Sequence, residues 1–564
     1  MKKIIFILAV FSAGLAAAAG VETDAVLNAM QKEMDRAMPK LKTAESVPLY
    51  YLGYEVADQQ SYWLSAEVGG IDGDSQYRQR YLDIEARVGS PELDNTHEVK
   101  GESGWNEYER DNNRVSVAIE DDTDSLRSSL WRWTDAAFKK ALEKYTKVKA
   151  NRAVTAEEED KSDDFTSEDQ KNVFYEEVEF PKIDKDAWRE KVKKYSLKFR
   201  GEPFIYNSMV SFHVNTDQRY MVTSEGGKIR TGNTYITLSY HLSSRTTDGM
   251  DIRRIRNYDG NKLEDLPSEE TVLADIDKSI AELKALKDAP IAEPYSGPAI
   301  LKGRASGVFF HEIFGHRVEG HRQKKESEGQ TFAKKIGQQV VSPVISVKDD
   351  PTLERLNGKF LRGYYKYDDQ GMKAEKVNVV ENGVLKNFLM GRFPIKDFKH
   401  TNGHARRSPG KPVVSRMGNT MVEVSSPVPY AQLRAKLIEE VKKQNKPYGL
   451  VFEDVTGGFT MTGRWIPNAF KVIPLLVYRV YPDGRPDEVV RGVDIIGTPL
   501  ASFTKITAGA DDTDIFNGTC GAESGWVPVS GVSPSILVSE IEVQKVGKEQ
   551  KKPPVLPPPY GDGK

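Results

Sequence analysis

His311-Glu312-Ile313-Phe314-Gly315-His316 sets two imidazoles on either side of a glutamate. Imidazoles ligate divalent transition metals, and a carboxylate beside them can take a proton from water. The pattern points to metal-assisted hydrolysis. Zinc proteases of the familiar kind place their histidines at i and i+4 on one helix face, whereas here they stand at i and i+5. Five residues of regular α-helix turn about 140° past a full circle, so both rings reach one ion only if the helix stretches, bulges or ends between them. Gly315 stands where such a distortion is tolerated. A helix opened near Ser306 or Gly307 would bury Val308, Phe309, Phe310, Ile313 and Phe314, and buried imidazoles need partners for their ring nitrogens.

A catalytic metal usually takes three protein ligands and leaves a position open. Two residues are candidates for the third. His321 follows closely, and Cys520, the only cysteine, lies far downstream in Asn517-Gly518-Thr519-Cys520-Gly521. The N-terminus favours one of them. Met1-Lys2-Lys3, the apolar Ile4 to Phe11 and the small residues Leu15 to Gly20 form the pattern of a secretory signal peptide over residues 1–19. A periplasmic or secreted location is expected. An unpaired thiol there is liable to oxidation, and metal ligation protects it, so Cys520 is preferred to His321.

The run His311-Glu312-x-x-Gly315-His316-x-x-Glu319-Gly320 and the distant Gly518-Thr519-Cys520-Gly521 resemble the TldD/PmbA metallopeptidases. Between them Asp368-Asp369-Gln370-Gly371, Asn402-Gly403-His404-Ala405-Arg406-Arg407 and Arg416-Met417-Gly418-Asn419-Thr420 fit the same family. The resemblance is strong from about Ser296 to Lys545. It implies that His311, His316 and Cys520 hold the metal and that Glu312 serves catalysis. It also implies the catalytic, TldD-like branch, short or unfolded peptides as substrates, and a homodimer or a heterodimer with a non-catalytic relative. Two departures stand out: His321 occupies a position where catalytic relatives tend to carry aspartate, and the export signal is foreign to the well-known cytoplasmic members.

Mixed nitrogen and sulfur donors favour zinc, with iron or cobalt as alternatives. Glu312 would serve as general base. A thiolate tempers the Lewis acidity of its metal, so the substrate carbonyl needs a further donor; His404, Arg406 and Arg407 are the substrate-binding candidates, each with a fold-stabilising alternative. Two other functions compete with peptidase: a non-catalytic peptide-binding or partner-stabilising subunit, and a metal-dependent hydrolase of another amide bond.

At 564 residues with 38% hydrophobic content, the chain can fill two or three domains, and a net charge of -3 gives no field for nucleic acid or anionic lipid. After the signal no apolar stretch approaches membrane-spanning length. The fold class expected is α+β. An N-terminal mixed domain would cover 20–293, interrupted by a solvated acidic loop near 155–169. A β-rich C-terminal domain carrying the metal-site helix would cover 294–546, and a Pro-rich tail 547–564. In the first domain Val26, Met30, Met34 and Met38 recur at helical spacing behind Thr23-Asp24, and strands are expected at 47–56, 61–68 and 81–88. In the second, Asn382-Gly383 marks a hairpin, Tyr430 to Lys443 a helix, and Cys520 is expected on a loop before the last strand.

Overall fold

The computed structural model describes residues 20–547 apart from 101–113, 155–158, 169–170, 466–468 and 499–501, together with 554, 556 and 559. The signal peptide expected at 1–19 and most of the Pro-rich tail lie outside the described residues. The chain is mixed α/β, with a β-rich C-terminal part, as its periodicities predict.

Four long antiparallel strands form the centre of an eight-stranded first sheet, in the order Gly70–Ser90, Leu49–Glu67, Asn207–Thr223 and Lys228–Arg245. Side chains alternate between faces along a strand, and here parity separates two surfaces. Leu52, Tyr54, Val56, Leu82, Ala86, Val88, Tyr220 and Val222 pack beneath the helices Ala25–Leu41 and Thr123–Val154. Further along the same strands, Tyr62, Leu64, Phe212, Val214, Ile236 and Leu238 pack beneath Lys185–Leu197 and Glu269–Asp288. The opposite parity, including Glu55, Ser211, His213, Arg219 and Thr237, is polar and turns toward the C-terminal part.

The first helix starts where expected, with Asp24 accepting a hydrogen bond from Leu27 N at 2.9 Å. The two strands expected at 47–56 and 61–68 are instead one strand, Leu49–Glu67. Asp58-Gln59-Gln60 resembles a polar break, yet pairing continues through Gln59↔Gln79, and Asp58 is held by Arg78 and Arg80. The acidic segment is not a solvated loop where it is described. Phe165 lies between the guanidinium groups of Arg87 and Arg392, 3.8 and 3.9 Å from its ring centroid. Asp164 accepts from Asp94 N, Asp160 from Lys396 N, and Lys324 Nζ donates to the Ser162 carbonyl. The segment is thus a strap pinned to both parts of the molecule.

Beyond residue 294 there are two main sheets. In one, the strands Gly449–Thr460, Tyr295–Leu301, Ile536–Lys545, Val493–Gly497 and Phe470–Val480 follow in order, and pairing of the first with the last closes a ring. The other has six strands and ends in the hairpin Asp514–Ala522 and Gly525–Ser533. The metal-site helix, Gly303–Ile313, packs between these two sheets. Asn382 and Gly383 have φ of 47° and 84°, the geometry of the expected tight hairpin turn.

Candidate metal centre

The metal-site helix begins three residues earlier than expected and ends at Ile313, between the two histidines. A 3-10 turn, Gly315–Arg317, carries His316. Ending the helix leaves backbone carbonyls to satisfy. Arg317 does this: Nη1 donates to the Glu312 and Ile313 carbonyls, each at 2.9 Å. Gly315 keeps an ordinary φ, so backbone freedom is not the reason for glycine; a Cβ there would run into the Met417 sulfur.

Cys520 is in the hairpin's first strand rather than on a loop, opposite Val527. Its flanking glycines mislead because Gly521 is needed for close packing: a Cβ there would lie 2.8 Å from the Trp526 ring. The strand brings Cys520 Sγ to 3.0 Å from His311 Nε2 and 3.3 Å from His316 Nε2. All three residues are buried, and their ligand atoms lie within 4.8 Å of one another. Tetrahedral zinc would set nitrogen and sulfur about 3.6 Å apart, close to these spacings.

The charges fit a cation as well. Burial opposes a thiolate at Cys520, but His316, His311 and Arg416 outweigh it and hold the thiol well below its usual range. Burial would lower His316, yet Cys520 and Glu319 outweigh it and lift the ring to about 10. The positive charge these groups share as protons is the charge a metal ion would supply. Glu312 sits beside them in the cleft wall, its carboxyl raised by burial against the opposing pull of His311 and His316. Gly458 lets a strand pass against it, since a Cβ there would lie 2.7 Å from Glu312 Cγ.

A supporting layer surrounds these groups. Glu319 stands 3.3 Å from His316 Nδ1, fixing which ring nitrogen faces the sulfur. Arg322 Nε donates to Glu319 at 2.7 Å, and Arg416 Nε lies 3.4 Å from it. Arg416 Nη2 also donates to the Cys520 carbonyl at 2.8 Å. Both Glu319 and Arg416 lie in the motifs quoted above, but nothing in one-dimensional spacing joins them.

His321 is not brought to the sulfur; its Nε2 is 2.7 Å from Glu523. The substrate-binding candidates are occupied elsewhere. His404 is fully buried against Asn402 and Asp349. Arg406 donates to the Met417 and Pro528 carbonyls. Arg407 borders the cleft but pairs with Glu55 at 2.7 Å. Basic residues near a site are easily mistaken for donors when the buried carboxylates and carbonyls they satisfy lie far off in sequence.

The candidate metal donors and Glu312 open onto a cleft of about 2600 Å³, walled on the far side by the first sheet's polar face. Residues 294–545 match the PmbA/TldA metallopeptidase C-terminal domain. Over these residues the chain is similar to the TldD/PmbA family. Among similar proteins, the "Metalloprotease" of Archaeoglobus fulgidus is 30% identical over 241 residues, 42% of this chain and 51% of that protein. The "Metalloprotease TldD homolog" of Haemophilus influenzae is 28% identical over 250 residues, 44% of this chain and 48% of its own length. The "Zinc metalloprotease TldD homolog" of Saccharolobus solfataricus is 25% identical over 356 residues, 62% and 71% of the two chains. The chain spans about half the length of the first of these curated relatives. TldE from Thermococcus kodakarensis shares the fold with a TM-score of 0.59 at 14% identity, covering 92% of this chain and all of its own. A putative modulator of a DNA gyrase from Thermotoga maritima gives 0.58 at 17% identity, covering 91% and 99%.

Proposed function

We propose that the protein is a metal-dependent peptidase acting on short or unfolded peptides, with His311, His316 and Cys520 as ligands and Glu312 as general base. The observation that carries this reading is the convergence of the two Nε2 atoms on Cys520 Sγ, with Glu312 beside them in an open cleft. The name of the Saccharolobus relative supports zinc. When bound, such an ion supplies Lewis acidity, which brings the pKa of water from about 15.7 toward about 7. Glu312 takes a proton from the attacking water onto its carboxylate and delivers it to the leaving amine. Burial suits it to this, because a raised carboxyl holds the proton better between the two transfers. Glu319 keeps His316 in one tautomer, and Arg416 sets a positive charge near the thiolate. The first sheet's polar wall leaves room for an extended chain.

Export rests on the first nineteen residues, and a periplasmic or secreted location is proposed with it. A partner, either a second copy or a non-catalytic relative, is also proposed; the TldE-like fold supports a family relationship with such a subunit. Among the described residues no helix is long and apolar enough to cross a membrane.

The test pairs metal analysis with cleavage of unstructured peptides by wild type and Glu312→Gln. The variant should keep its metal and lose at least about 100-fold in kcat. Metal-free wild type, or unchanged turnover in the variant, would overturn the assignment.

A further inference from the structure

A peptidase cleft must also receive the residues on either side of the scissile bond. The strand that passes Glu312 at Gly458 continues to the cleft mouth, where Phe459, Met461 and Trp465 are exposed at 48%, 39% and 87%. Trp526, exposed at 67%, borders the cleft from the Cys520 hairpin, opposite Gly521. Single exposed apolar residues need no explanation, but several around one cleft mark a binding surface.

The first of these lips is held in place. Arg317 Nη2 donates to the Met461 carbonyl, Gly329 N to the Thr462 carbonyl, and Arg464 N to the Ser327 carbonyl. Its side chains are therefore presented by a pinned backbone, with little ordering left for binding to cost. The far wall is mainly polar, with Ser211, His213, Thr237 and Ser239, and carries Trp63 beside His213. Phe459, Met461 and Trp526 are the apolar side chains of the cleft carried by the segments that hold or border the candidate metal donors and general base.

We propose that these two lips determine specificity, holding apolar or aromatic side chains of an extended peptide on the two sides of the scissile bond. The substrates are then the apolar segments that unfolded chains expose, rather than charged linkers. This inference rests on the peptidase reading.

The test uses labelled peptides that differ only at the residues flanking the cut, Leu or Phe against Ser or Glu. Binding is measured by fluorescence anisotropy with full-length, metal-loaded Glu312→Gln protein, and cleavage with wild type. Apolar peptides should bind about tenfold more tightly. Phe459→Ala/Met461→Ala and Trp526→Ala should each reduce that preference to about twofold. Trp131→Ala, which removes an exposed helix tryptophan outside the cleft, should leave it intact. Equal binding of both series, or a preference unaffected by the lip variants, overturns the inference. So does a change in oligomeric state of the lip variants with the peptide preference unaltered, which would make the strip an interface between copies. Apolar preference in binding with no cleavage of any peptide would sink the peptidase reading alone, whereas cleavage without preference would sink only the inference.

Discussion

Glu319→Gln is the sharpest probe of the centre, because it removes one charge and almost no volume. The carboxylate is fully buried, and burial is outweighed by His316, Arg322 and Arg416, which hold its pKa near about 2. At the 3.4 Å separation from Arg416, two unit charges attract by about 5 kcal/mol at an effective dielectric constant of about 20. Breaking a buried pair typically costs about 3–5 kcal/mol. Arg322 keeps Glu328 and Glu523, so the loss falls chiefly on His316 and Arg416 and the lower end applies. At about 2–4 °C per kcal/mol, the melting temperature should fall by about 6–12 °C. Metal affinity, read by competition with a chromogenic chelator, should drop about 10–100-fold as His316 loses the group that orients it. Glu423→Gln, which breaks the pair with Lys348 at a surface carboxylate, is the control and should cost at most about 1 kcal/mol. A Glu319→Gln protein that melts and binds metal like wild type would refute the reasoning.

Gly458→Ala should displace Glu312 and lower kcat by about 100-fold while metal content stays unchanged, since its Cβ would lie 2.7 Å from Glu312 Cγ. Phe165→Ala should destabilise the fold by about 3–5 kcal/mol, read by denaturant titration, because it empties the space between two buried guanidinium groups. Burial would raise Asp58, but Arg78 and Arg80 outweigh it and hold it below the usual carboxylate range. Its contribution is therefore complete above its unfolded pKa of about 3.9 and lost as pH falls through the depressed value, so Asp58→Asn should flatten the acid limb of stability against pH.

Local signals in the sequence are legible. Asp24 as a cap, the Asn382-Gly383 turn and the helix Tyr430–Lys443 each depend on a few adjacent residues, and each stands as expected. The interruption between His311 and His316 followed from helical geometry alone. What misled were features whose cause is remote. Asp58-Gln59-Gln60 resembled a break because its arginine partners lie on the neighbouring strand. The strap resembled solvent-facing chain because the groups that bind it lie elsewhere, Arg87 and Asp94 before it and Arg392 and Lys396 well beyond. His404 and Arg406 resembled donors because the groups they satisfy become neighbours only in the fold.

Cys520, the proposed sulfur donor, is separated from the nearer histidine by 204 residues. A nascent chain emerging from the ribosome therefore contains both imidazoles long before the thiol that completes the set. On the proposed ligand set, hydrolytic competence would arrive last, after the helix has been enclosed by strands from the far end of the polypeptide.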